Sequence, residues 1–121
     1  MTKKVLLVED EPHIVEALTF ILGREGLTVE TLDNGTEVID RLSQDPVDLV
    51  ILDYMLPELS GLEILTRIRE HPNLAELPVL MLTAKGQTKD REAAESAGVS
   101  RFMTKPFANS EIVQTAKELL G

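Results

Sequence analysis

Three stretches of this chain are apolar without interruption: Val5–Val8, Leu49–Leu52 and Val79–Leu82. A strand with one face in water alternates apolar and polar residues, so an unbroken run means that both faces are covered. Parallel sheets flanked by helices bury their strands in this way.

Helical patterns fill the intervals. Pro12 opens the first, where its missing N–H costs little. Ile14, Ala17, Leu18, Ile21 and Leu22 then form one apolar face, and Gly26 fits the left-handed stop. Thr28 to Leu32 alternates weakly, as an edge strand does, and Asp33-Asn34-Gly35 turns. A short helix carries Val38, Ile39 and Leu42 and ends before Asp45-Pro46. Ser60-Gly61-Leu62-Glu63 has the capping-box pattern, starting a helix that turns Leu62, Leu65 and Ile68 inward and ends near His71-Pro72. The next helix, about Thr88 to Ala97, offers only Ala93, Ala94 and Ala97 to a core, which predicts loose packing and mobility. Gly98 stops it, and Arg101 to Thr104 makes a short strand. Asn109 is expected to cap a last helix with Ile112, Val113, Ala116, Leu119 and Leu120 on its inner face.

Five β–α units in 121 residues predict a single domain over residues 1–121. The fold class is α/β, a doubly wound five-stranded parallel sheet with helices on both faces. A flavodoxin-like order 2-1-3-4-5 and a Rossmann half are the candidate topologies. The weak second strand favours the former, with that strand at an edge.

Composition excludes several functions. Without cysteine there is no disulfide scaffold, thiol nucleophile, thiolate zinc site or iron–sulfur cluster. A net charge of −9, from 12 basic and 21 acidic residues, opposes direct binding to nucleic acid or anionic lipid. No apolar stretch approaches the ~20 residues of a spanning helix. No signal peptide is recognisable, and the expected location is the cytoplasm. Walker A, G-x-S-x-G and G-x-G-x-x-G patterns are absent. Asn34-Gly35-Thr36 reads as a turn, and His13 and His71 as bystanders.

Open α/β sheets bind ligands beyond the carboxyl ends of their strands, at the point where strand order reverses. At that edge the first strand delivers Glu9-Asp10 and the third Asp53. The fourth delivers Thr83, and the fifth Thr104-Lys105-Pro106. Three neighbouring carboxylates cannot all ionise comfortably, and a divalent cation resolves the conflict. A small set of hard oxygen ligands favours Mg²⁺, which prefers phosphate as co-ligand. With an ammonium, a hydroxyl and a free carboxylate, such a site suits a transferred phosphoryl group, and a carboxylate can itself be the nucleophile.

These residues resemble the receiver domains of two-component response regulators. The matching pieces are Leu7-Val8-Glu9-Asp10-Glu11, Asp53-Tyr54-Met55-Leu56-Pro57 with Ser60-Gly61, Thr83-Ala84, and Lys105-Pro106-Phe107, in order along the whole chain. The resemblance implies that Asp53 is the phosphoacceptor, attacking a phosphohistidine on a histidine kinase or phosphotransfer protein. It implies Mg²⁺ ligation by Asp10, Asp53 and the Met55 carbonyl, with Glu9 assisting through water. Lys105 would hold a phosphoryl oxygen, aimed by a cis peptide at Pro106. Thr83 and the Ala84 N–H would bind other phosphoryl oxygens, and Phe102 occupies the family's switch-aromatic position.

Phosphorylation would draw the Thr83 hydroxyl toward Asp53 and let Phe102 turn inward. That reshapes the surface of the fourth helix, fifth strand and fifth helix for a downstream protein or output domain. Such a domain is a signalling phosphoacceptor rather than a conventional enzyme, catalysing only its own phosphotransfer and dephosphorylation. Met55 and Lys85 occupy positions that tune phosphoryl lifetime in the family. Gly98 to Phe102 lacks the paired acids of many DNA-binding members, which leaves a phosphorylation-dependent dimer open. Also open are a phosphate-independent binding module of the same fold and a Mg²⁺-dependent phosphatase. The latter usually has a second acid where Met55 stands. Flavin binding is poorly supported by 1 Tyr, 3 Phe and no Trp.

Overall fold

A computed structural model describes residues 2–84 and 88–121; Lys85 therefore lies outside the described residues. The elements alternate without exception. They are β1 (Lys4–Val8), α1 (Pro12–Arg24), β2 (Thr28–Leu32), α2 (Val38–Gln44), β3 (Leu49–Asp53), α3 (Gly61–Glu70), β4 (Val79–Ala84), α4 (Thr88–Ser96), β5 (Arg101–Lys105) and α5 (Asn109–Leu120). All five strands are parallel, in the order β2-β1-β3-β4-β5, as the apolar pattern predicts. β2 is an edge, which explains its weaker apolar content.

The unbroken apolar runs serve two cores at once. Leu6, Val8, Val50, Leu52, Val79 and Met81 face Val38, Leu42, Ile64, Leu65, Ile68 and Ala94 of α2, α3 and α4. Val5, Leu7, Leu49, Ile51, Leu80, Leu82 and Met103 face Leu18, Leu22, Ile112 and Ala116 of α1 and α5. Alternate residues of each strand thus belong to opposite layers. Among the described residues, no helix is long and apolar enough to cross a membrane.

Local signals act as their chemistry requires, with three differences. Ser60 Oγ accepts from the Glu63 N–H at 3.3 Å, starting α3. Gly26 and Gly98 take φ of 84° and 92°, ending α1 and α4. The first difference concerns Asn109, which is the first residue of α5 rather than its cap. Ala108 is the cap, extended at φ −79° and ψ 146°, and its methyl side chain has no polar atom to make a cap hydrogen bond. The second is in α3, where Ile64 is fully buried and Leu62 only half-buried. The third is in α1, where Ala17 is exposed because the helix meets the sheet through Leu18 and Leu22.

Arg69, at the end of α3, ties together segments distant in sequence. Its guanidinium donates to the carbonyl oxygens of Leu77 at 2.7 Å, Gly98 at 2.8 Å and Ala75 at 3.2 Å, and to Ser100 Oγ at 3.3 Å. Burial lowers its pKa. Arg69→Ala should cost about 2 kcal/mol, since several acceptors lose a charged donor together. Urea denaturation reads the loss, and faster amide exchange at Val99 and Ser100 locates it.

Candidate functional site

The carboxyl ends of β1, β3, β4 and β5 meet at one rim. The register sets Asp53 opposite Leu82 and Lys105 opposite Ala84, so both polar residues end on the α1/α5 side of the sheet. Ala84 between them is small. Lys105 Nζ lies 3.3 Å from Asp53 Oδ2 and 2.9 Å from Glu9 Oε1.

Each acid is held differently. Glu9 is 1% exposed, and its Oε2 accepts from the backbone N–H groups of Asp10 at 3.1 Å and Glu11 at 3.2 Å. Its other oxygen has Lys105 as an ion-pair partner but no well-aligned hydrogen bond. Asp53 is 4% exposed, and its Oδ1 accepts from the Met55 N–H at 3.2 Å. Asp10 is exposed. The three acids bring carboxylate oxygens within 4.8 Å of one another.

The electrostatics record this crowding. Burial, reinforced by the Glu9 carboxylate, pushes the Asp53 carboxyl up to about 7, against the opposing pull of Lys105 and the Met55 N–H. At Lys105 burial acts to lower the pKa. Its pairing with the Glu9 carboxylate and the charge of Asp53 outweigh it, and the net direction is upward.

Thr83 is 2% exposed, and its hydroxyl has no hydrogen-bond partner among the described residues. A buried hydroxyl in that condition is unusual and points to a ligand or a water. It shares the α3/α4 face of the sheet with Phe102, since Met81 pairs with Phe102 and Thr83 with Thr104. Phe102 is half-buried. The Lys105–Pro106 peptide is cis. Met55 holds its side chain 69% exposed, so only its backbone belongs to the rim. A groove of about 460 Å³ opens beside Lys105, with Ile14, Leu18, Pro106 and Phe107 in its walls.

The residues fit a Mg²⁺ ion. The donor set is all oxygen, two of the acids are buried, and Asp53 resists ionising without further positive charge. Of the residues expected at the site, Glu9, Asp10, Asp53, Lys105 and the Met55 backbone are brought together; Thr83, Ala84 and Pro106 stand at or just past the ends of the neighbouring strands, and Phe102 lies behind them. Sequence reasoning missed Arg69 and Arg91, whose surface composition gives no signal of their partners.

A family model described as the response regulator receiver domain matches residues 5–117. The chain belongs to that family. It is 38% identical over 120 residues to the phosphate regulon transcriptional regulatory protein PhoB of Rhizobium meliloti, covering 99% of this chain and 53% of that protein. It is 41% identical over 117 residues to the probable transcriptional regulatory protein TcrX of Mycobacterium tuberculosis, covering 96% and 49%. This receiver domain therefore spans about half the length of the curated relatives it matches.

Among solved structures it is similar to the signal receiver domain of a signal transduction histidine kinase from Syntrophus aciditrophicus. The TM-score is 0.92 at 32% identity, covering 98% of this chain and 90% of that one. It is also similar to the receiver domain of the sensor histidine kinase PA1611 from Pseudomonas aeruginosa, which carries a magnesium ion in its active-site cleft. There the TM-score is 0.91 at 27% identity, covering 100% and 99%.

Proposed function

We propose that residues 1–121 act as one receiver unit in which Asp53 accepts a phosphoryl group from a phosphohistidine on a histidine kinase or phosphotransfer protein. The observation that carries this reading is a buried carboxylate with an ammonium at 3.3 Å and two further acids within reach. A lone buried acid has no reason to be so furnished, whereas a phosphoryl acceptor needs all three neighbours.

Asp53 attacks phosphorus through a carboxylate oxygen, forming the new O–P bond as the N–P bond to the donor imidazole breaks. The imidazole leaves with that bonding pair. Lys105 is in place to neutralise a phosphoryl oxygen, and the unpartnered Thr83 hydroxyl and the Ala84 N–H can donate to others. Glu9, Asp10, Asp53 and the Met55 carbonyl would hold Mg²⁺, which when bound offsets the charge shared by the carboxylates and the phosphoryl oxygens. Hydrolysis of the aspartyl phosphate belongs to the same reading. The groove beside Lys105 gives the donor a place to approach.

Output would pass through α4, β5 and α5 to an attached domain or a separate protein. The regulatory names of PhoB and TcrX support a role in controlling transcription, with the nucleic acid contacted by something other than this acidic unit. The cysteine-free composition supports a cytoplasmic setting.

The test is intact-mass measurement after incubation with Mg²⁺ and acetyl phosphate. We expect one labile phosphoryl adduct on the wild type, and none on Asp53→Asn or in excess EDTA. An adduct that survives Asp53→Asn would move the acceptor elsewhere. No adduct on the wild type would favour a phosphate-independent binding module.

A further inference from the structure

The fourth helix has little to hold it. α4 reaches the core through one fully buried side chain, Ala94, with Ala93 and Ala97 half-buried beside it. Alanine offers little area, so weak contacts elsewhere on α4 have leverage over its position. One of them lies on the switch aromatic itself. The Arg91 guanidinium carbon stands 5.9 Å from the centre of the Phe102 ring, within the range of a cation–π contact. Arg91 is oriented there by Glu95 one turn on, with Nε donating to Oε1 at 3.1 Å. Beneath, Phe102 packs on the buried cluster that contains Met81 and Ala94.

We infer that Arg91, aimed by Glu95, is a latch that holds the Phe102 ring in its half-buried position in the unphosphorylated state and so sets how readily the domain switches. The inference rests on the reading of Asp53 as phosphoacceptor and adds to it a positioning residue outside the rim. Its logic is differential. When Phe102 turns toward Thr83, the ring leaves the guanidinium, so the contact favours only one of the two conformations. A contact of this kind at an exposed site is worth a two- to fivefold population bias. Apparent affinity for a phosphoryl mimic is reduced by the same factor when the competent state is the minor one. Arg91 thus tunes the threshold of the switch without touching the phosphoryl group.

The experiment is a beryllofluoride titration in Mg²⁺ followed by NMR of the phenylalanine rings, of which the chain has 3. Arg91→Met keeps the aliphatic stem and removes the cation. It should move the Phe102 ring signals of the free protein toward their beryllofluoride-bound positions and tighten apparent affinity two- to fivefold. Arg91→Lys should restore most of the wild-type behaviour. In a Phe102→Leu background, Arg91→Met should change nothing, which separates the latch from a general effect of charge on anion binding. Unmoved ring signals with unchanged affinity, or an equal gain in the Phe102→Leu background, would overturn the latch alone. A wild type that ignores beryllofluoride, or an Asp53→Asn variant that binds it equally well, would overturn the phosphoacceptor reading on which the latch stands.

Discussion

Gly61→Ala should be among the most damaging single substitutions in this domain, with a stability loss of about 3 kcal/mol and failure of phosphoryl transfer. Gly61 is the first residue of α3, and its N–H donates to the Tyr54 carbonyl at 2.9 Å. A Cβ there would run into the carbonyl oxygen of Asp53, with Tyr54 Cα at 2.9 Å and Asp53 C at 3.0 Å. All three are backbone atoms of the segment that presents Asp53, so none can swing aside. The helix or the Asp53–Tyr54 peptide must move, and the carboxylate moves with it. Gly23→Ala is the matched control. A Cβ on Gly23, within α1, meets nothing within 4 Å, and alanine there should stabilise by about 0.5 kcal/mol. Equal denaturation midpoints for the two variants would defeat the close-approach argument.

Asp53→Asn should make the metal-free domain more stable at pH 8, by about 2 kcal/mol. With its folded pKa near 7 against an ordinary 3.8, Asp53 binds its proton more tightly folded than unfolded. Between these values the folded state carries the extra proton, so stability falls as pH rises from about 4 to about 7, and above that the full penalty remains. A pKa gap of this size sets a ceiling of roughly 4 kcal/mol. Asparagine removes the charge and flattens the profile. Added Mg²⁺ should stabilise the wild type at pH 8 and leave Asp53→Asn nearly unchanged. Thermal melts across pH 5 to 8 in EDTA, and at pH 8 with excess Mg²⁺, measure the two effects, and a wild-type profile in EDTA that rises over this interval would contradict the assigned burial.

The strand order and the meeting of Glu9, Asp10, Asp53 and Lys105 were legible because both follow from periodicity. Unbroken apolar runs imply a parallel sheet, and a parallel sheet gathers the residues at its strand ends. What the sequence hid depends on neighbours distant along the chain. Nothing in its surroundings tells that Arg69 bonds to Leu77 and Gly98, or that Arg91 stands over Phe102. Asn109 has the chemistry of a cap, but the helix starts one residue early, with Ala108 in the cap position and Asn109 as its first residue. The crowding at Gly61 is likewise invisible until the loop after β3 folds back.

The helices around the sheet differ in how much load they can bear. α1 and α5 each grip the strands with two fully enclosed side chains, Leu18 and Leu22 in one and Ile112 and Ala116 in the other. α4 grips with a single methyl group, on Ala94. Any stress generated where the strands converge will therefore be relieved at α4, while α1 and α5 keep their places. A partner that must dock the same way in every state is best served by the firmly seated helices, and one that must detect a difference by α4.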